Sequence, residues 1–191
     1  LEDVIRLKHS YRMLLADRVK NDLITALKAT NPTGDVAAAV GLLEQWNNTV
    51  SPESRGSALF EVWWFHYSGV RPDNSVLLPD TRRFSKVWSV EDPYNTPRGL
   101  ADNARAVESF KWAIEETKRR YGSIDVAWGD VHRVRRGKVD VPVGGCGNEL
   151  GCFRVLSYAR DPDGKLAAIG GDGWVLAVEF GETPRAYSVL A

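Results

Sequence analysis

Residues 126–155 read VAWGDVHRVRRGKVDVPVGGCGNELGCFRV, and the periodicity of the chain changes as it enters this stretch. On the N-terminal side, apolar residues recur every three or four positions, which predicts amphipathic helices. On the C-terminal side, short segments rich in Val, Phe, Tyr and Leu alternate with Gly, Asp and Pro, which predicts strands. Helices followed by strands indicate an α+β fold. We expect a helical part over 1–122 and a β-rich part over 123–191, together forming one compact unit.

About four helices are predicted in the first part. An apolar stripe from Val4 to Leu27 predicts one long helix, which the Pro and Gly of NPTGD (31–35) end. The second helix covers DVAAAVGLLEQWNN (35–48), with Asp35 placed to cap its N-terminus.

The third predicted helix covers SPESRGSALFEVWWFHYSGV (51–70), with Ser51 as N-cap and Pro52 as the first helical residue. The fourth covers LADNARAVESFKWAIEETKRRYG (100–122) and ends at Gly122. Between these two helices, residues 71–98 are predicted to form loops and short turns, because four prolines interrupt any long element: Pro72, Pro79, Pro93 and Pro97.

Four segments of the second part are predicted to contain strands, and we expect them to pair antiparallel. The turn DPDGK (161–165) predicts a hairpin, since Asp-Gly tolerates positive φ angles. The segments are KVDVPV (138–143), CFRVLSYAR (152–160), LAAIGGDGWVLAVEF (166–180) and RAYSVLA (185–191).

The charge balance and the apolar runs exclude two classes of partner. The 25 Lys and Arg residues cancel the 25 Asp and Glu residues, whereas a general nucleic-acid binder needs an excess or a segregation of positive charge. No apolar run reaches the roughly 18 residues of a membrane-spanning helix. The chain begins at LEDVIRL without Met and stops inside a predicted strand, so we expect it to be a fragment of a longer protein.

The three histidines do not form a metal site by their spacing, since none has a companion ligand three or four residues away. His9 and His66 lie in predicted helices, where packing or surface roles are favoured. His132 is flanked by Asp130, which would share its side of a strand. No nucleophile accompanies this pair, so a structural role is favoured over a catalytic one.

The basic segment VHRVRRGK (131–138) raises the question of phosphate binding. In a strand, Arg133 and Arg135 would share one face, while His132, Val134 and Arg136 would share the other. We favour a solvated or ion-paired segment over an anion site.

Cys146 and Cys152 are six residues apart, which fits neither a thioredoxin motif nor a zinc site. Gly147 and Gly151 would let the chain double back, so both a small-loop disulfide and two free thiols remain open. The surrounding GGCGNELGC (144–152) is not a phosphate loop, because it lacks the Gly-Lys-Ser/Thr ending. The residues alone therefore indicate an α+β chain without a recognisable active site.

Several phrases resemble the penicillin acylase (penicillin amidase) family of N-terminal-nucleophile hydrolases, particularly its members that cleave acyl-homoserine lactones or lipopeptides. The resemblance covers nearly the whole chain and is most specific in Trp-Gly-x-x-His-Arg followed by strands; at Gly173 the chain departs from the Gly-Asp-Ser that relatives often have. The phrases are LEDVIRLKHSYRMLLADRVKNDLITAL, LLEQWNNTVSPESRGSALFEVWW, WGDVHR, GCFRVLSYARDPDG, GGDGWVLAVEF and PRAYSVLA.

The resemblance implies an internal-to-C-terminal fragment of the β chain of a larger αββα amidohydrolase. In the family, an N-terminal serine attacks the amide and its own α-amino group serves as base, without a cofactor. No catalytic residue carries over to this chain. Family members often bind calcium, whose ligands the resemblance does not place here. Trp128, Asp130, His132 and Arg133 would form a scaffold motif, with Asp130 as the partner of His132 or Arg133.

The resemblance also implies a periplasmic or secreted parent protein, and therefore a Cys146–Cys152 disulfide. The expected partners are the remaining α- and β-chain segments, an acylated small-molecule substrate of the parent, and a second copy meeting open strand edges. Two alternatives stay open. One is a binding module with an aromatic groove of Trp63, Trp64, Phe65 and Trp88, and the other is a complete hydrolase that uses His132 with an unrecognised nucleophile.

Overall fold

Helices precede strands in the computed structural model of the chain, which describes residues 1–69 and 78–190. The predicted α+β class is confirmed. The helical part gives way to the strands where a single helical turn passes directly into the first strand. The helices are α1 (Glu2–Lys8), α2 (Leu14–Lys28), α3 (Gly34–Gln45), α4 (Ser57–Ser68), α5 (Asp80–Arg83), α6 (Asn103–Tyr121) and α7 (Trp128–Val131). The strands are β1 (His132–Arg136), β2 (Val139–Pro142), β3 (Leu156–Arg160), β4 (Leu166–Gly171), β5 (Trp174–Glu179) and β6 (Arg185–Leu190), with a 3₁₀ turn at Asn148–Leu150.

The described strands form a four-stranded sheet in the order β2-β1-β4-β3 and a two-stranded ribbon of β5 and β6. The DPDGK turn joins β3 to β4 as predicted, with Gly164 at φ 84°. The expectation that all strands pair antiparallel is wrong for β1 and β4, which run parallel with His132 opposite Leu166. The chain leaves the sheet after β2 and re-enters at the far edge as β3, so the β3–β4 hairpin brings β4 alongside β1.

The prediction of one helix from Val4 to Leu27 is wrong, because the chain is extended between α1 and α2. Arg12 forms an isolated β-bridge with Thr49, and Met13 forms another with Cys152. Val4 is 55% exposed, so the apolar stripe does not continue onto the core side of α1. Pairing with distant segments overrides the local helical pattern here.

The predicted starts of the second and third helices are also corrected. The N-cap of α3 is Thr33 rather than Asp35, which lies in the first turn and pairs with Lys118. The N-cap of α4 is Gly56, at φ 87°, rather than Ser51. A left-handed residue cannot continue a right-handed helix, so Ser51 and its neighbours form a turn before α4.

Helix α6 agrees with its prediction because both of its ends are specified locally. The Asp102 side chain accepts a hydrogen bond from the Arg105 backbone N–H at 2.9 Å. Gly122 ends the helix at φ 81°. Residues 70–77 and 191 lie outside the described part of the chain, and with them the end of the third predicted helix, the start of the predicted loops with Pro72, and the last residue of the final predicted strand.

The core surrounds α4, which is apolar on nearly every side and packs against α6. Trp63 and Trp64 are both 0% exposed, whereas Trp88 is 56% exposed and Phe65 is half-buried. Fully buried indoles cannot line a ligand groove, so the aromatic-groove alternative is wrong. Across 1–69 and 78–190, no helix combines the length and apolar character needed to cross a membrane.

Candidate functional site

The sequence motif WGDVHR occupies the junction between the helices and the four-stranded sheet. Its first four residues form the single turn α7, and His132 begins β1. The turn is attached to the segment before α4, because the Trp128 N–H donates to the Ser54 carbonyl at 2.8 Å and the Gly129 N–H donates to the Pro52 carbonyl at 2.7 Å. These two bonds place the His132 side chain beneath the centre of α4.

Aromatic rings enclose His132. Its imidazole stacks on the Trp128 indole, with 3.5 Å between ring centroids and 6° between planes. The Tyr158 ring meets the imidazole edge-on at 4.6 Å, and the Tyr158 hydroxyl donates to the Gly145 carbonyl at 2.9 Å. His132 and Trp128 are both 0% exposed, so the imidazole has no route to a substrate in this structure.

The polar partner of His132 is Glu61, which sequence analysis missed. The carboxylate of Glu61 lies 3.2 Å from His132 Nε2, and the Trp128 carbonyl lies 3.2 Å from Nδ1. Burial, together with the charge of Glu61, raises the pKa of the Tyr158 and Tyr121 hydroxyls. A signal was present in the sequence, because Glu61 is the one charged residue in the otherwise apolar run 58–65.

Asp130 does not have the role that we expected. It is exposed, whereas His132 contacts Glu61 and Arg133 contacts Asp140. The Arg133 side chain donates to Asp140 Oδ1 at 2.7 Å and to the Gly129 carbonyl at 2.8 Å. The prediction assumed that Asp130 and His132 lie on the same strand. Asp130 instead lies in the helical turn α7, so its side chain and that of His132 point to different sides.

Arg135 is the centre of an ion-pair cluster on the outer face of the sheet. It lies 2.8 Å from Asp161, 2.7 Å from Asp163 and 3.3 Å from Asp140. Its hydrogen bonds lower the pKa of Asp163 to about 2, with the Lys165 backbone N–H adding to the effect. Three carboxylates balance Arg133 and Arg135, which agrees with the ion-paired interpretation of VHRVRRGK rather than with an anion site.

Cys146 and Cys152 form a disulfide bond in the structure, with 5.3 Å between their Cα atoms. The bond closes a loop that contains the 3₁₀ turn, and Glu149 in this turn contacts helices α4 and α5. Glu149 accepts hydrogen bonds from the Trp64 indole N–H at 3.1 Å and from Arg83 at 2.6 Å. The disulfide loop therefore joins the sheet side of the molecule to the core helix α4.

Two surface clefts lie away from His132. One has a volume of about 220 Å³ and is bordered by Arg18, Arg83 and Glu149. The other has a volume of about 460 Å³ and is bordered by Trp46 and Asp125. Among residues 1–69 and 78–190, no three His, Cys, Asp or Glu side chains are grouped so that they could hold a metal ion.

The remaining histidines have aromatic neighbours. His9 Nε2 lies 3.1 Å from the Tyr187 hydroxyl, and this contact joins α1 to the β5–β6 ribbon. The His66 ring stacks on Trp112 with 4.1 Å between centroids, and partial burial lowers the pKa of His66. Neither histidine is brought near His132, so the three do not form a common site.

The model of the penicillin amidase family matches residues 1–191, and the chain belongs to this family. The resemblance in the sequence is thereby confirmed.

Known relatives are acylases of greater length. The chain is 31% identical over 132 residues to an acyl-homoserine lactone acylase, PvdQ, from Pseudomonas fluorescens (strain Pf-5), covering 66% of this chain and 17% of that protein. It is 23% identical to PvdQ from Pseudomonas fluorescens (strain Pf0-1), covering 100% of this chain and 24% of that protein. It is 27% identical to aculeacin-A acylase from Actinoplanes utahensis, covering 89% of this chain and 21% of that protein. The chain thus spans about a fifth of the length of these relatives.

Proposed function

We propose that this chain is a scaffold segment of an acylase that hydrolyses the amide bond of acylated small molecules, namely penicillins, acyl-homoserine lactones or lipopeptides. Membership of the penicillin amidase family and the names of the relatives support this activity for the complete enzyme. The nucleophilic serine, its α-amino base and the oxyanion donors belong to other segments of that enzyme. No residue of this chain is assigned a catalytic role.

The complete burial of His132 is the observation that carries the scaffold assignment. A general base must reach a proton on the nucleophile or on a water molecule. The two ring nitrogens of His132 are occupied by Glu61 and by the Trp128 carbonyl, and its faces are covered by Trp128 and Tyr158. The side chain therefore stabilises the junction between the α4 helix and the sheet, which argues against a complete hydrolase centred on His132.

The partners of the chain are the remaining α- and β-chain segments of the enzyme. One face of the β5–β6 ribbon supports this proposal, because Trp174 (60% exposed), Leu176 and Val178 leave an apolar surface uncovered. A two-stranded ribbon is only marginally stable by itself in water, so a covering layer is expected. Without that layer, the open strand edges favour self-association of the chain.

We place the complete enzyme in the periplasm or outside the cell, and the Cys146–Cys152 disulfide supports this location because such bonds persist in oxidising compartments. The proposed hydrolysis uses no organic cofactor or catalytic metal, since an activated serine supplies the chemistry. Calcium is compatible with the complete enzyme, and the proposal places none of its ligands in this chain.

A chimera tests the scaffold role. The segment of the Pseudomonas fluorescens (strain Pf0-1) acylase that aligns with the whole of this chain would be replaced by residues 1–191, and hydrolysis of an acyl-homoserine lactone would be measured. We expect the chimera to be active, a deletion of the same segment to be inactive, and the chain alone to be inactive. The control is Asp130→Asn in the chimera, which should retain activity because Asp130 is exposed.

The contrary outcome is equally specific. Turnover of an acyl-homoserine lactone or a chromogenic acyl-anilide by the isolated chain, lost in His132→Ala, would support the complete-hydrolase alternative and reject the scaffold assignment. An inactive chimera that folds and matures would also count against the proposal.

A further inference from the structure

The disulfide loop, residues 146–152, is fixed at both of its ends and in its middle. Cys152 forms a β-bridge with Met13 just before α2, and Cys146 forms one with Val155 just before β3. Leu150, in the middle of the loop, is 1% exposed and belongs to the core. A short loop closed by a covalent bond has few conformations, so the bond restricts the positions that its residues can adopt.

Glu149 is the one charged residue between the two cysteines, and its carboxylate contacts two helices. The same oxygen, Oε1, accepts hydrogen bonds from the Trp64 indole N–H at 3.1 Å and from the Arg83 guanidinium at 2.6 Å. Trp64 is 0% exposed, and the side chains of Arg83 and Glu149 are 12% and 22% exposed. Charge-assisted hydrogen bonds shielded from water are strong, and they depend on exact positions. A displacement of the loop therefore breaks both bonds together.

We infer that the Cys146–Cys152 bond controls a redox latch, by which we mean the contacts of Glu149 with Arg83 and Trp64. In the oxidised chain, the closed loop holds Glu149 against both partners. In the reduced chain, the loop gains conformations and releases Glu149, and Arg83 keeps Asp80 as its carboxylate partner. The latch is thus closed under oxidising conditions and opened by dithiols of a reducing compartment. It does not depend on the acylase activity of the complete enzyme.

The reductant that opens the latch is a dithiol. Its thiolate attacks one sulfur of the disulfide, which breaks the S–S bond, forms a mixed disulfide and releases the other cysteine as a thiolate. The second thiol of the reductant then attacks the mixed disulfide and releases the remaining cysteine. The reductant leaves as a cyclic disulfide, and two electrons and two protons pass to the chain. Cys146 is 0% exposed and Cys152 is 4% exposed, so the first attack requires the loop to open.

The disulfide and the contacts of Glu149 are coupled in both directions. If the bond favours these contacts by some factor, the contacts favour the bond by the same factor. Glu149→Gln keeps the size of the side chain and removes its charge, so it should make the disulfide easier to reduce. A hydrogen bond between charged groups contributes enough to change this equilibrium by about tenfold or more. A bond that restricts only the unfolded chain would show no such coupling.

Equilibration of the 191-residue chain with mixtures of reduced and oxidised dithiothreitol measures the coupling. After alkylation, intact mass separates the disulfide form from the dithiol form. The ratio of reduced to oxidised dithiothreitol at half reduction should be about tenfold lower for Glu149→Gln than for the wild type. The control is Gly129→Ala, which disturbs the packing far from the loop and cancels between two folded forms. The wild-type ratio in Glu149→Gln, or an equal shift in Gly129→Ala, would reject the latch.

A measurement on the wild-type chain decides the question if Glu149→Gln does not fold. In a sample with ¹⁵N-labelled tryptophan, we expect reduction to move the indole N–H signal of Trp64 and to accelerate its hydrogen exchange about tenfold or more. The internal control is Trp63, whose indole N–H donates to the Ala106 carbonyl at 3.1 Å and should not change. A Trp64 signal that reduction leaves unchanged would overturn the inference, and so would equal changes at both indoles.

Discussion

The carboxylate of Glu149 lies 2.6 Å from a guanidinium nitrogen of Arg83, and the same carboxylate accepts the indole hydrogen of Trp64. Glu149 thus connects the disulfide loop to two helices, because Arg83 ends α5 and Trp64 lies in the core of α4. The Arg83 side chain is only 12% exposed. The charge of Arg83 is therefore compensated by Glu149 and Asp80. The loop that carries Glu149 contributes to the stability of the fold in this way.

We predict that the double variant Cys146→Ser/Cys152→Ser is less stable than the wild type by about 2 kcal/mol, because the bond restricts the unfolded chain over a short loop. Urea denaturation would give the difference in the free energy of unfolding. Intact mass after alkylation without reductant should show no modified cysteine in the wild-type chain. Two alkylated thiols in the folded protein would contradict the bond itself.

Gly129 is predicted to be intolerant of a side chain. A Cβ atom there would lie 2.6 Å from the Pro142 Cβ and 2.9 Å from both the Cβ and the backbone oxygen of Pro52. The Gly129→Ala variant should therefore lose about 1–3 kcal/mol of stability, since the backbone must move. Gly41→Ala is the matched control, because the space around Gly41 in α3 is open and alanine favours helices. Equal stability of the two variants would show that the WGDVHR turn is not packed as described.

Glu116 is predicted to contribute to acid sensitivity. Its hydrogen bonds with Arg119 and Arg120, both at 2.6 Å, lower the pKa of the carboxylate to about 2 despite partial burial. A lowered pKa in the folded state gives stability that is present above the unfolded value of about 4.3 and is lost as the pH falls towards 2. Screening by solvent limits the effect to on the order of 1 kcal/mol.

The measurement for Glu116 is the free energy of unfolding between pH 5 and pH 2. Glu116→Gln should show a smaller loss over this interval than the wild type does. The control is Glu108→Gln, which removes an exposed carboxylate that contacts Lys111 on the same helix. Identical acid profiles for wild type and Glu116→Gln would exclude the proposed contribution.

Local signals were enough to predict some elements and not others. Asp102 and Gly122 specify the ends of α6 through neighbours within four residues, so the pattern in the sequence was sufficient. The break before α2 depends on the pairing of Met13 with Cys152, which no local window contains. Propensity favoured a continuous helix there, and tertiary pairing prevailed.

In the candidate site, too, local sequence predicts some features, whereas others depend on contacts between distant residues. The phrase WGDVHR identified Trp128 and His132, and their stacking follows from a spacing of four residues across one helical turn. Glu61 could have been suspected as a single charge in an apolar helix, but its contact with His132 bridges 71 residues and requires the fold. Asp130 was chosen on strand geometry, whereas α7 places it in a helical turn.

The last prediction concerns the β5–β6 ribbon. Trp174, Leu176 and Val178 alternate along β5 on the side that is open to solvent, and β5 pairs only with β6 among the described strands. An uncovered apolar face with free strand edges should drive self-association of the isolated chain. We expect sedimentation velocity to show dimers or larger species that increase with protein concentration.

A charge placed on this face should prevent the association. In Leu176→Lys, a charged group would have to be desolvated at the contact, so the association constant should fall at least about tenfold, equivalent to roughly 1.4 kcal/mol. Leu176 is 49% exposed, so the fold itself should tolerate the change. The control is Val90→Lys, at an exposed apolar position on a separate loop, which should leave association unchanged. If the two variants behave alike, or if the wild-type chain stays monomeric at high concentration, the ribbon is not the contact surface, and its apolar residues require another explanation.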